Sequence, residues 1–327
     1  MHRSLCTQND TPLFGGWFTS RATGSQHATA RLRVRDAKPR STTKLVRKYT
    51  TTVWACGAIS SSDSTKNFER LCEWIRRSGG FVSPKIAIAE TAPRSGTRGV
   101  VVTESVKKDE TLIAVPIEAC YMTNEQACEQ LAFAAARKFC PSLASTFPPP
   151  FCLAMLLAHE RAKGKSSKWY HYINTLPEDI PCAWALSNEA ATRAVEDLDC
   201  ATASRLLDAR TVATAGVQEF SRRVKQLYGP PFGATGLDDE GALLWAAGMV
   251  VSRSYAANES VLAMAPLVDL CNHSYEARKP YFDEWNGLPV TAVAAPEHLG
   301  AGDELCVSYR AAEICDELSW LNFGYLA

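Results

Sequence analysis

Apolar positions change their period along the chain, and the changes mark out its elements. Phe68, Leu71, Cys72 and Ile75 recur at helical spacing and Gly79-Gly80 follows, so ordered structure is expected to open with a helix near Phe68. The stretch "GTRGVVVTESVKKDETLIAVP" (96–116) places the β-branched run Val100–Thr103 and the run Thr111–Val115 on either side of a charged turn, which predicts a hairpin-like pair of strands. From about residue 124 to 255 the pattern is helical. The segment beginning "PPPFCLAMLLAHERAKGKSSKW" carries a long apolar face up to Gly164. Ser187 is placed to cap a helix through about 199, Arg205–Tyr228 supplies another, and Asp238 or Asp239 caps one in which Leu244, Ala247, Gly248 and Val251 share a face. Beyond it the period returns to two over Val290–Ala294 and Glu304–Tyr309, and a last helix is expected over Ala311–Leu321.

Strands, a helical block and strands again predict an α+β fold, with a small sheet built from both ends of the folded chain and a helical insertion over about 124–240. No repeat and no linker divides residues 68–327. One junction stands out. "PLVDLCNHSYEARKPYF" (266–282) runs from a buried-looking strand into Asn272-His273-Ser274. That triplet fits a core strand ending in a polar turn, a glycosylation acceptor like Asn258-Glu259-Ser260, or a ligand site.

Composition narrows the classes. Of 327 residues, 46% are hydrophobic and 21% charged, as in an ordinary globular chain. The longest apolar run, Leu243–Val251, is far shorter than the roughly eighteen residues a membrane helix needs, so no membrane partner is expected. A net charge of zero conceals an asymmetry: residues 1–53 hold ten Lys/Arg against Asp10 and Asp36, leaving 25 basic and 33 acidic residues in the remainder. The first 60 residues, Ser/Thr-rich and without periodicity, are expected to be a disordered, transit-like leader, directing the protein to a plastid (chloroplast stroma), with mitochondrion or cytosol as alternatives. A basic leader also suits nucleic acid, but nothing basic and aromatic-interleaved continues it, so targeting is preferred and no nucleic-acid partner is expected. The twelve cysteines contain no Cys-x-x-Cys and read as reduced thiols. His159-Glu160 lacks a second histidine at 163, where Lys stands, so no metal site is expected.

Five strings occur in order: "GTRGV", "SRSY" (252–255), "LVDLCNHS", "GDELCVSY" (302–309) and "LNFGY" (321–325). With "KGKSSKWYHYINTLPEDIP" (163–181) among them, residues 68–327 resemble SET-domain protein methyltransferases of the plant type, the group of the Rubisco large-subunit lysine methyltransferase. The resemblance implies S-adenosylmethionine as methyl donor and a protein substrate presenting a lysine. It places Arg253 at the donor's carboxylate, for which a guanidinium fork is suited. Arg98 and Gly99 would let the backbone approach the donor, and Asn272 and His273 would hold its ammonium and adenine ends. Tyr309 takes the catalytic position. Tyr281 falls near a second aromatic of the lysine tunnel, and Phe323 stands where the family often has tyrosine.

The resemblance also implies a non-histone target, with Rubisco large subunit or a stromal aldolase as candidates, since the zinc clusters that flank many nuclear SET enzymes have no counterpart here. The chain is expected to lack the helical C-terminal substrate-binding domain of the plant-type enzymes. Two alternatives remain open at this point: histidine as acceptor, and a SET-like binding module without catalysis.

Overall fold

A computed structural model describes residues 61–92, 97–135, 143–228, 236–257, 260–274, 276–309 and 316–323. The expected leader and Asn258 lie outside them. Helix α1 (Ser61–Arg77) starts seven residues before Phe68. It buries Phe68, Leu71, Cys72 and Ile75. Its end is a Schellman turn: Gly80 N–H donates to Ile75 C=O and Gly79 N–H to Arg76 C=O, both at 3.0 Å, with Gly79 at φ +90°. A side chain is disfavoured at that angle, which is why the glycine ends the helix.

Strands β1 (Phe81–Val82), β2 (Ile86–Ala92), β3 (Thr97–Val102) and β4 (Thr111–Pro116) follow. The expected pairing of the runs at 100–103 and 111–115 is corrected here. β3 pairs antiparallel with β2, Gly99 opposite Ala89, whereas β4 lies between β1 and the later strand β9 (Leu288–Ala294) in a separate sheet. The intervening loop explains the divergence. Val106 exchanges hydrogen bonds with Leu299 (3.0 and 3.1 Å), and Asp109, at φ 66°, donates its N–H to Ala295 C=O. The loop is bound elsewhere and cannot close a hairpin. Periodicity identifies a strand but carries no information about its partner.

Strand β5 (Met122–Thr123) precedes the helical block: α2 (Asn124–Ala135), α3 (Pro149–Ala162), α4 (Asn188–Ala194), α5 (Cys200–Tyr228) and α6 (Glu240–Arg253). α3 enters through prolines at its first turn, where a missing N–H costs nothing, and buries Cys152 through Ala158 continuously. The helix expected from Ser187 to about 199 ends at Ala194. Ser187 does cap it, accepting from Ala190 N–H, but Asp199 Oδ1 accepts from Ala201 and Thr202 N–H and starts α5 anew. Two caps so close together divide one helical pattern into two helices.

α6 is capped by Asp239, whose carboxylate accepts from Ala242 N–H at 3.1 Å. Asp239→Ala should cost about 1 kcal/mol. In a domain of this size that lowers the thermal midpoint by about 2–4 °C, readable by calorimetry.

The chain then forms β6 (Ser254–Ala256), β7 (Leu262–Met264), β8 (Tyr281–Trp285), β9 (Leu288–Ala294) and the helix α7 (Asp316–Phe323). Among the described residues three sheets result, ordered β1-β4-β9-β8, β2-β3 and β5-β7-β6. β8 and β9 join through Asn286-Gly287, both at positive φ (51° and 78°), the two-residue turn that matches strand twist. The expected strand before Asn272 is a tight 3₁₀ turn, Val268–Leu270, entered through Leu267 at φ 71°. The strand expected over Glu304–Tyr309 is also corrected: it forms isolated bridges, Val101 with Glu304 and His273 with Val307. Leu305 N–H donates to Val100 C=O (2.8 Å), and two residues on Val307 N–H donates to Asn272 C=O (2.9 Å). The segment thus crosses from β3 to the Asn272 stretch, and this crossing assembles the site.

Candidate active site

Around that crossing, segments far apart in sequence converge. Asn272 Nδ2 lies 2.7 Å from Glu304 Oε1, 3.3 Å from the Arg98 carbonyl and 3.3 Å from Thr91 Oγ1. The space above Gly99 is taken by these groups. A Cβ there would sit 2.7 Å from Asn272 Nδ2 and 2.8 Å from Thr91 Cγ2, and closer still to the Glu304 carboxylate. The Arg98 guanidinium turns away, with Nη1 donating to Ser64 Oγ (2.7 Å) and Nη2 to Thr175 C=O (3.4 Å). Arg98 and Gly99 therefore serve the site by seating Asn272, one through its carbonyl and the other through its missing side chain. A half-buried Asn272 bonded in this way is also a poor glycosylation acceptor.

His273 and Tyr309 lock the neighbouring position. Tyr309 N–H donates to His273 Nδ1 at 3.0 Å, so that nitrogen is the acceptor and the imidazole is neutral; burial also holds its pKa below the usual histidine value. The rings lie 5.2 Å apart, and Phe323, at the end of α7, sits 5.9 Å from Tyr309 on centroids. The Tyr309 hydroxyl donates to the Cys271 carbonyl at 2.6 Å. Its proton is thereby committed, leaving the phenol oxygen's lone pairs to accept.

Arg253 ends α6, where a cation is favoured by the helix dipole. Its Nη1 donates to the Asp269 carbonyl at 2.9 Å and lies 3.7 Å from Asp269 Oδ2. That carboxylate oxygen accepts from Tyr172 OH at 2.7 Å. Asp269's side chain is 3% exposed, and desolvation pushes its pKa up to about 6 against the lowering pull of Arg253 and Tyr172. Among the described residues Arg253 Nε is buried without a hydrogen-bond partner. An orphaned guanidinium N–H costs free energy unless an acceptor completes it, which is what a ligand carboxylate would do.

Arg253, Asn272, His273, Tyr309 and Phe323 are thus linked through the 269–273 stretch. Tyr281 is not part of the cluster. It opens the edge strand β8 opposite Ala292 and is 38% exposed, so the place expected for it in a tunnel is not where the structure puts it. The loop before it, with Arg278 C=O accepting from Ser308 N–H and Ala277 N–H donating to Ser274, carries the chain outward to the sheet edge. Sequence reasoning missed Tyr172, Asp269 and Glu304. Asp269 had a visible signal, as a lone acid in an apolar run. Tyr172 had none beyond its place in the 163–181 segment.

This fold and this convergence define a protein family. The SET domain model matches residues 97–310, and the chain belongs to that family. Among curated proteins, it is similar to SET domain-containing protein 4 of Homo sapiens, 27% identical over 67% of this chain and 50% of that protein. It is also similar to Protein SET DOMAIN GROUP 40 of Arabidopsis thaliana, 29% identical over 55% of this chain and 35% of that one. The chain therefore spans about half of the first relative's length and about a third of the second's. Among solved structures, the SET domain of LSMT bound to lysine and AdoHcy superposes with a TM-score of 0.64 at 16% identity, covering 82% of this chain and 58% of that one. Rubisco LSMT bound to AdoMet gives 0.61 at 17%, covering 80% and 56%. These likenesses establish a shared α+β fold.

Proposed function

We propose that the protein is an S-adenosylmethionine-dependent protein-lysine N-methyltransferase. The observation that carries this is the cluster of Arg253, Asn272, His273 and Tyr309, brought together from separate parts of the chain in a SET fold. Support comes also from the neighbours of the same fold, one bound to AdoMet and another to lysine and AdoHcy. The residues fit the donor. Arg253 offers an unfilled buried N–H for its carboxylate, and the carbonyls and amide about Asn272 and His273 offer polar groups for its ammonium and adenine.

When bound, the donor supplies an electrophilic methyl on a sulfonium. The protein's part is alignment and water exclusion, since an in-line displacement gains most from holding nucleophile and methyl in register. Tyr309, its O–H donating to the Cys271 carbonyl, presents phenol lone pairs to an amine N–H. The acceptor must be neutral to react. A lysine of pKa about 10.4 pays about 4.6 kcal/mol to deprotonate at pH 7. The His273–Tyr309–Phe323 rings offer an apolar wall that disfavours the ammonium form by desolvation.

Within this proposal the target is a non-histone protein, and the basic, acid-poor first 53 residues favour a plastid stromal one. Phe323, beside Tyr309 where the family often has a second phenol, keeps a histidine acceptor as the alternative. The test is incubation of the purified chain with labelled S-adenosylmethionine and stromal extract, followed by mass spectrometry of the labelled residue. Labelled lysine is the expected result and labelled histidine selects the alternative. No protein labelling together with no cofactor binding by calorimetry overturns the proposal. Arg253→Lys, which keeps the charge but loses the fork, should weaken cofactor binding about tenfold in that calorimetry, the equivalent of one charge-assisted hydrogen bond.

A further inference from the structure

We propose that Tyr172 and Asp269 are positioning residues of the cofactor site: Tyr172 fixes the Asp269 carboxylate, and Asp269 fixes the Arg253 guanidinium with its remaining donors open to a ligand. The inference rests on the reading above, that Arg253 meets the donor's carboxylate, and goes beyond it by naming what holds Arg253 in place.

The geometry is unusual for a merely structural ion pair. Arg253 and Asp269 approach only to 3.7 Å between charged atoms, and the tight bond from Nη1 goes to the Asp269 backbone carbonyl at 2.9 Å. Among the described residues Asp269 has one strong side-chain partner, Tyr172 OH at 2.7 Å, while its Oδ1 is buried without a hydrogen bond. A carboxylate 3% exposed with half its acceptors empty costs more in desolvation than it recovers from one cation. Hydrophobic residues there would serve stability better. An ionised Asp269 makes sense in a filled site. The donor carries a carboxylate, an ammonium and a sulfonium, a net single positive charge, and an anion held behind Arg253 offsets the excess. Tyr172 supports this from the one-turn helix Tyr170–Ile173, fully buried and reaching across the core to the Asp269 turn.

Few other groups compete for this role. Facing Asp269 and Arg253 are the Cys271 and Cys182 thiols, both pushed well up by burial and neutral throughout the working range. Glu304, beyond Cys271, is occupied by Asn272, and Arg98 on β3 is held by Ser64 and Thr175. His273 also titrates low, so an Asp269 variant is needed to separate the two.

The sign follows from the proposed role. Binding that needs Arg253 held by ionised Asp269 favours the ionised acid, so the bound complex holds fewer protons and binding strengthens as pH rises, levelling off above about 6. Calorimetric titration of the full chain with S-adenosylmethionine from pH 5 to 8.5 tests the assignment. Tyr172→Phe keeps the packing and removes the hydrogen bond that favours the ionised acid. It should raise Kd about three- to tenfold at pH 7.5 and move the onset of the acid-side weakening to higher pH, with the unliganded protein still melting cooperatively. Asp269→Asn should bind more weakly and abolish the step attributed to Asp269. A variant that only lost structure would not move a pH profile. If both variants keep the unaltered protein's Kd and profile, the inference is overturned while the cofactor proposal stands. If the unaltered protein binds no S-adenosylmethionine, both fall.

Discussion

Gly99→Val is expected to abolish measurable cofactor binding, a loss of more than about a hundredfold, and to lower the thermal midpoint as well. The argument is steric and local. A Cβ on Gly99 meets Asn272 Nδ2 at 2.7 Å and Thr91 Cγ2 at 2.8 Å, besides the Glu304 carboxylate. Real Cβ atoms do not approach so closely, so something must move. β3 is held by β2 on one side and by the Leu305 and Glu304 crossing on the other, which leaves Asn272 and Glu304 to give way. Overpacking alone costs about 1–3 kcal/mol. Separating Asn272 from Glu304 and Arg98 also breaks hydrogen bonds between part-buried groups, at about 0.5–1.5 kcal/mol each. Since each 1.4 kcal/mol is tenfold, displacement of Asn272 by this amount removes binding altogether. Calorimetry with S-adenosylmethionine, together with a melting curve, checks it. Undiminished affinity would show that Asn272 can move freely, and the site as described would be wrong. Gly99→Ala is the milder control and meets the same atoms.

How far this site was legible in the sequence differs from residue to residue. α1, α3 and α6 follow from apolar spacing and caps because helical information is local: the residues that bury one face lie three and four apart, and Asp239 sits directly before the helix it starts. Strand pairing is not local. β3 and β4 read as neighbours in sequence, but Val106 and Asp109 bind 295–299 and send the strands to different sheets. β8 was missed although Asn286-Gly287 is a strong hairpin signal, because "YFDEW" lacks the alternation of a half-buried strand; residues 281–284 are exposed on both faces.

The site shows the same division. Arg253, Asn272, His273 and Tyr309 were picked out through ordered strings, and the structure brings them together. Their neighbours on the 269–273 stretch were harder. Asp269 acts through its backbone carbonyl as much as through its carboxylate, and a sequence displays only side chains. Tyr172 touches Asp269 across nearly a hundred residues of chain. Tyr281 stands apart from the cluster, at the start of the edge strand β8, because strand placement along a sheet is not written in the local sequence.

Tyr309→Phe should reduce turnover about a hundredfold or more while leaving cofactor affinity within about threefold. The ring's contacts with His273 and Phe323 belong to the carbon skeleton and survive the substitution, as does the Tyr309 N–H bond to His273 Nδ1. The walls of the site therefore persist, and with them the seat of the donor. What goes is the hydroxyl. Its O–H donates to the Cys271 carbonyl at 2.6 Å, which orients the oxygen so that, in the reaction proposed above, its lone pairs accept from an incoming amine. Without that acceptor the amine loses its alignment to the methyl, and a preorganised polar contact of this kind is worth about 2.7–4 kcal/mol in the transition state. The Cys271 carbonyl is also left to other donors, including the amine itself, which would be drawn off the reaction axis. The measurement is kcat at saturating S-adenosylmethionine alongside Kd from calorimetry. Falling kcat with steady Kd places Tyr309 at the reacting atoms. Equal loss of both would make it a wall of the binding site, and full turnover would move the chemistry to another residue.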